Sequence, residues 1–191
     1  MEEILRSNNV PEIELVPFTL KKNDEDLKIK YLKWLQDYSV TRLIGSEDFL
    51  NNNVNKDFIE KSFSRFTSKR CIGFFILHRY DNVFIGTAKL DKISDYTKSA
   101  EDGILIGEKE YWSKGISKKV YSIILSHAFN KMKLERIYGG CNENNISMIK
   151  TFRSMGYKLE GVMRKADNID GILSDHLYFG ILKEEFFGKN M

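Results

Sequence analysis

The sequence predicts a mixed α/β fold: a mostly antiparallel central sheet of about seven strands, flanked by helices. Three observations carry that expectation. Short apolar runs with strand character recur along the whole chain. Stretches with helical spacing separate them, two before the middle strands and two among the later ones. The 191 residues also contain no repeat, no low-complexity linker and only 2 prolines. Since nothing marks a boundary, residues 1–191 are expected to form a single domain, and 42% apolar with 13% aromatic residues suffices for its core.

IELVPFTL (13–20) reads as the first strand, and DLKIKYLKWLQD (26–37) places Leu27, Ile29, Leu32 and Leu35 near one helical face. A second helix is expected over 56–67. CIGFFILHR and VFIGTAKLDKI flank Tyr80, Asp81 and Asn82, the pattern of a hairpin with a tight polar turn. EDGILIGE is the next strand, and it ends at a corner, YWSKGISKKV. From Gly115 onward Ile116, Val120, Ile123, Ile124, Ala128 and Phe129 recur at helical spacing, after which RIYGGC (136–141) is extended again. NISMIKTFRSM is a further helix, followed by strands at YKLEGVMRK and through DHLYFGIL.

Composition excludes several classes of function. A net charge of +3 from 30 basic and 27 acidic side chains is too slight to predict a nucleic-acid partner, but it leaves room for a modest basic site for a small anion. MEEILRSNNV has no apolar leader core, and the longest apolar run, around CIGFFIL, falls far short of the roughly 20 residues that span a bilayer. A soluble, cytoplasmic protein without a membrane partner is therefore expected. Cys71 and Cys141 stand alone in strand-like segments and read as buried free thiols. His78, His127 and His176 lack metal-ligand spacing, so no metal is expected and they read as surface or packed histidines.

The corner carries the chemistry. A helix starting near residue 115 leaves first-turn N–H groups without intrahelical partners at the positive end of its dipole, which favours an anion. Lys114, Lys118 and Lys119 add positive charge, and Gly115 permits close approach of a ligand to the backbone. A pyrophosphate suits such a corner; a plain turn with solvated lysines is the alternative. Neither GxxxxGK[ST] nor GxGxxG occurs in a suitable place.

The runs AEDGILIGEKEYWSKGISKKVYSIILSHAF and ERIYGGCNENNISMIKTFRSMGYKLEGVMRK resemble the GNAT acetyltransferases, in particular the branch of ribosomal-protein N-terminal and bacterial amino-sugar N-acetyltransferases. The resemblance covers about residues 12–187. It implies a sheet splayed at the cofactor site, with acetyl-CoA as cosubstrate. The cofactor would be bound by Leu105 and Ile106 of the strand, and by a pyrophosphate loop of Trp112, Ser113, Lys114, Gly115, Ile116 and Ser117. Ser117 departs from the family pattern, which has glycine or alanine there. Asn145 matches the family's cofactor-contacting asparagine at the start of the next helix. YLKWLQDYSVTRLI is similar to the branch's WLxDxxVxR segment, with Trp34, Asp37 and Arg42 at matching positions. Trp34 and Asp175 are carried over as acceptor-binding residues, although Trp34 also reads as a packing residue. Phe63, Phe66 and the asparagines at 51–53 suggest an irregular loop near the acceptor mouth.

Acetyl transfer to an amine needs a neutral amine, a polarised carbonyl and a leaving thiolate. The resemblance implies direct attack, with the carbonyl polarised by a backbone N–H near Ile106. An amine with pKa near 10.4 pays about 4.6 kcal/mol to be neutral at pH 7, against about 1 kcal/mol for an α-amine near 7.8. Only the first strongly needs a base, and Glu101, matching the branch's AE[IL]G wording, is the candidate. The family's tyrosine acid is replaced by Phe152. Tyr138 and Tyr157, nearby in sequence, read as core aromatics. These points lean toward an acceptor amine of low pKa. The leading expectation is a small amine, such as an amino sugar or sugar nucleotide of surface-polysaccharide synthesis. A protein N-terminus and a catalytically silent acyl-CoA-binding domain are the alternatives, and a homodimer is left open.

Overall fold

The computed structural model describes residues 3–44 and 53–188. In chain order it has β1 (Ile13–Pro17), a 3-10 turn (Phe18–Lys21), α1 (Glu25–Gln36), α2 (Tyr38–Thr41), α3 (Lys56–Phe66), β2 (Thr67–Ser68), β3 (Cys71–His78), β4 (Val83–Ser94) and β5 (Ser99–Ile106). A second 3-10 turn (Lys109–Tyr111) leads to α4 (Ile116–Asn130), β6 (Arg136–Asn142), α5 (Ile146–Met155), β7 (Lys158–Ile169), β8 (Ile172–Leu182) and α6 (Lys183–Gly188). Asn51 and Asn52, read above as part of a loop near the acceptor mouth, lie outside the described residues.

Polar side chains set the helix starts. Asp24, Asn55 and Asn145 each accept a hydrogen bond from the backbone N–H three residues on, which opens α1, α3 and α5. At the other end of α5, Gly156 sits at φ 100, the left-handed C-cap that its position predicts. Two predicted boundaries move. The first strand stops at Pro17 and the chain enters the 3-10 turn. The last strand begins at Ile172, because Asp170 and Gly171 both have positive φ and close a two-residue hairpin with β7.

The sheet runs β1-β3-β4-β5-β6-β8-β7, with the two-residue β2 paired to β3. Every pairing is antiparallel except β5 with β6, which is parallel. That pairing covers only Ser99–Glu101 against Arg136–Tyr138, beyond which the two strands no longer pair with each other, β5 following β4 to Ile106 and β6 following β8 to Asn142. This is the predicted splay.

Alternation along the strands sends successive side chains to opposite faces, and the two neighbours Phe74 and Phe75 show the division. Phe74 belongs to the core beneath α4 and α5, with Leu90, Ala100, Ile124, Ile137 and Phe152. Phe75 belongs to the core beneath α1 and α3, with Trp34, Ile59 and Phe63, and its ring stacks on Phe18 at 4.0 Å. Cys71 and Cys141 are both buried and free. No helix among the described residues is long and apolar enough to cross a membrane.

Candidate active site

Two adjoining cavities meet at the splay. One, of about 670 Å³, is lined by Ile104, Leu105, Ile106, Trp112, Gly115 and Lys118, among others, with Asn145 and Lys150 on the α5 side. The other, of about 500 Å³, lies on the α1/α3 face and reaches Arg65, Lys89, Glu101, Gly140, His176 and Tyr178. Leu43, Ile44, Ile104, Leu105, Asn145 and Met148 line both.

The first cavity gathers the cofactor residues named from sequence, with the exception of Lys114. Gly107 donates its N–H to the Ile85 carbonyl at 2.9 Å, so the alternation of an antiparallel ladder turns the backbone groups of Ile104 and Ile106 away from β4 and into the gap. The Ile106 carbonyl accepts from Trp112 Nε1 at 2.9 Å, which folds the loop back over the strand end. Ser113 and Gly115 both have positive φ, at 60 and 71, and α4 then begins with no side chain capping it. Its first-turn N–H groups therefore remain open to a ligand. Ile116 packs inward while Ser117 and Lys118 line the cavity. Two lysines behave otherwise than expected. Lys119 pairs with Glu12 at 2.6 Å, and Lys114 stands over the Tyr111 ring at 5.3 Å, outside the lining. Lys150, which sequence reasoning did not select, lines the same cavity from α5. Asn145 spends its carbonyl oxygen on the Met148 N–H as a helix cap, so what it can offer a ligand is its amide NH₂.

On the second cavity, Glu101 is present as expected, but Lys92 Nζ lies 2.6 Å from its Oε2. The carboxylate therefore meets an ammonium at close range instead of standing free. The other acceptor residues carried over do not line either cavity. Trp34 is buried between Tyr31 and the α4 approach, its Nε1 donating to Glu108 at 3.1 Å. Its indole is packed in the core and lines neither cavity. Asp175 accepts from the Lys165 N–H at 2.9 Å within the β7–β8 hairpin, because its place in the strand alternation is opposite to that of its neighbour His176. Asp37 caps α2 and meets Lys109 at 2.7 Å, which holds its carboxyl down at about 2. Arg42 ties the end of α2 to Asp170 at the hairpin tip, at 2.9 Å.

Two features were missed from sequence. Asp102 is fully buried, accepting from Tyr121 at 3.0 Å and from Tyr157. Burial pushes its carboxyl up to about 7 against the opposing effect of the two hydroxyls, and the charge of Glu101 adds to the rise. Strand parity could have found it: an acid between Ala100 and Ile104 falls on the inward face. The same contact confirms Tyr157 as a packed aromatic with a satisfied hydroxyl. Tyr138 is half-buried beneath the Arg136 guanidinium, at 5.6 Å. Phe152 fills the floor of the second cavity, stacked on Phe179 at 5.0 Å, and no hydroxyl reaches the cavity from that position. Burial raises the Cys141 thiol to about 11, which leaves it protonated at neutral pH. The second missed feature is the contact between His176 and Asp167.

A sheet opened between two parallel strands, with an uncapped helix N-terminus beside the gap, makes this a mixed α/β protein with a site suited to a phosphate-bearing ligand. The model of the GNAT acetyltransferase domain matches residues 13–158, and the chain belongs to that family: it is an acetyl-CoA-dependent acyltransferase. It is 26% identical over 171 residues to the uncharacterized N-acetyltransferase p20 of Bacillus licheniformis, covering 89% of this chain and 95% of that protein. Among solved structures it resembles the spermidine N-acetyltransferase of Vibrio cholerae in complex with CoA and spermine, with a TM-score of 0.79, 20% identity, and coverage of 92% and 98% of the two chains. It also resembles a GNAT-family acetyltransferase of Bacillus anthracis, with a TM-score of 0.75, 20% identity, and coverage of 96% and 100%.

Proposed function

We propose that this protein transfers the acetyl group of acetyl-CoA by direct attack to a primary amine of a small molecule, with an amino sugar or sugar nucleotide as the acceptor class. The observation that carries the reading is the gap between β5 and β6, open to a phosphate-suited corner on one side and to a separate cavity on the other. The pyrophosphate would lie on the open N–H groups of α4, between Lys118 and Lys150, with the pantetheine arm along Ile104–Ile106. Asn145 would donate to that arm.

Charge in the acceptor cavity supports the choice of class. Its lining sets Arg65 and Lys89, which share the buried carboxylate of Asp91, against Glu101, which is paired with Lys92, and against Asp102, which holds its proton up to about neutral pH. A polyamine with several positive charges calls for a surplus of carboxylates, whereas this lining suits an acceptor that is neutral or anionic apart from its amine. Leu43 and Ile44 roof both cavities, and the Arg42–Asp170 contact anchors that roof, an arrangement that favours a small molecule over a peptide.

The test is a calorimetric titration with acetyl-CoA of the parent protein and of Gly115→Val. Nothing lies within 4 Å of a Cβ at Gly115, so the side chain has room, but φ 71 strains it by about 1–2 kcal/mol and its bulk enters the ligand's space. Micromolar binding by the parent and none by a folded variant is expected. Absence of binding by the parent would overturn the reading. Thiol release with amino sugars, N-terminal peptides and spermidine then separates the acceptor classes.

A further inference from the structure

His176 is a half-buried histidine of β8 whose ring meets a carboxylate on one side and a cavity on the other. It sits on β8 opposite Asn142 of β6, where strand alternation places it on the same face as Glu101, Gly103 and Leu105. Its ring lines the acceptor cavity, 4.9 Å from the ring of Tyr178.

The surroundings of the ring fix its orientation. Nδ1 lies 3.0 and 3.1 Å from the two carboxylate oxygens of Asp167. Asp167 reaches that position because the β7–β8 register shifts between Met163 and Asp167, and such a bulge re-aims a side chain. The carboxylate is held in turn by Asn142, whose Nδ2 donates to it at 2.9 Å and to Ser174 Oγ at 2.6 Å. Asn142 is 1% exposed, and its own carbonyl oxygen accepts from both nitrogens of Asn144. A buried, fully bonded amide therefore supports a carboxylate, which supports an imidazole. A carboxylate on Nδ1 requires a proton there, so the lone pair of the neutral ring is on Nε2. Nε2 has no protein partner among the described residues, and it lies over Gly140, where a Cβ would be only 2.3 Å away. The glycine leaves the space that the nitrogen uses.

We propose that His176, oriented by Asp167, is the base that takes the proton from the acceptor amine. The proposal rests on the N-acetyltransfer reading and assigns that reaction the step for which Glu101, paired with Lys92, is poorly placed. The acceptor arrives as an ammonium and gives one proton to Nε2, and its freed lone pair forms the C–N bond at the acetyl carbonyl carbon. The C–S bond breaks, and its electron pair leaves with the CoA sulfur. The second proton on nitrogen neutralises that thiolate through water, and the imidazolium returns its proton to solvent, so one proton is released per turnover. His176 touches the acceptor and is catalytic in that sense; Asp167 and Asn142 are positioning residues.

Two measurements test this. In the intact protein with ¹⁵N-labelled histidine, His176 should show the Nδ1–H tautomer, assigned by its disappearance in His176→Gln; an Nε2–H tautomer would overturn the proposal without touching the cofactor reading. The second is thiol release with the best acceptor from the amino-sugar, peptide and spermidine set. His176→Gly should lower kcat by about 100-fold, leave acetyl-CoA affinity unchanged by calorimetry, and regain rate on addition of imidazole. Asp167→Asn should lower kcat by roughly tenfold with the same affinity. A His176→Gly variant that turns over like the parent, or one that loses activity with no rescue while still binding acetyl-CoA and melting normally, rejects the base role. Loss of acetyl-CoA binding by the parent itself would instead reject the enzyme reading.

Discussion

Charged groups near the splay divide into those that face the second cavity and those that brace the sheet. Glu101 belongs to the first set, but with Lys92 at 2.6 Å its contribution is electrostatic. Glu101→Gln should therefore raise KM for a cationic acceptor several-fold, and less so at high salt, while kcat stays within about threefold. A kcat collapse that shrinks as pH rises would restore it as the base. Asp102 belongs to the second set. Burial holds its carboxyl up at about 7 in the folded protein, against the ordinary carboxylate value of about 3.9, so the native state holds its proton while the unfolded chain releases it. Stability contributed by this group is thus lost as pH rises from about 4 to about 7, by a few kcal/mol in total. Asp102→Asn can still bond both tyrosine hydroxyls, and its urea midpoint should fall less between pH 5 and pH 8 than that of the parent. An unchanged difference would show that the carboxyl is ionised at both pH values. At this scale the sequence was partly readable. AED announces acids at a strand end, but only the ladder tells which face each one meets. Nothing local in Lys119 reveals that Glu12, more than a hundred positions away, neutralises it.

Elements were easier to read than contacts, because their signals are local. The α5 segment shows this well: an asparagine, ten helical residues and a glycine give its start, its length and its stop. The same asparagine caps the helix and lines the first cavity, and substitution can separate the two. Asn145→Ala should cost about 1 kcal/mol of stability through the lost cap and should also weaken acetyl-CoA. Asn145→Ser keeps the cap and loses only the amide, so its melting temperature should match the parent while the affinity still falls; equal affinity would remove Asn145 from the cofactor site. The β7–β8 hairpin was harder to read. Its alternation predicts strands, yet the bulge that brings Asp167 to His176 depends on Lys165 at φ 56, with its N–H bonded to Asp175. A lysine carries no sequence signal for that conformation. From sequence the two residues are therefore unrelated, and His176 reads only as a surface or packed histidine.

For the whole molecule, the order of strands and helices was predictable and the sheet matches it, apart from the added β2 pair. The splay itself was not readable from residue pattern, since β5 and β6 look like ordinary paired strands; it followed from the resemblance. Ligand binding across such a gap should tie its two halves together. Acetyl-CoA at 100 times its dissociation constant adds about 2.7 kcal/mol, which for a chain of this size should raise the melting temperature by roughly 5–10 °C. No shift would mean that the gap binds something else. The wall of Leu43, Ile44, Ile104, Leu105, Asn145 and Met148, common to both cavities, has a thermodynamic consequence. Any displacement of those side chains by one substrate alters the chamber offered to the other. The resulting coupling free energy is a property of the pair: whatever factor acetyl-CoA applies to acceptor affinity, the acceptor must return to acetyl-CoA.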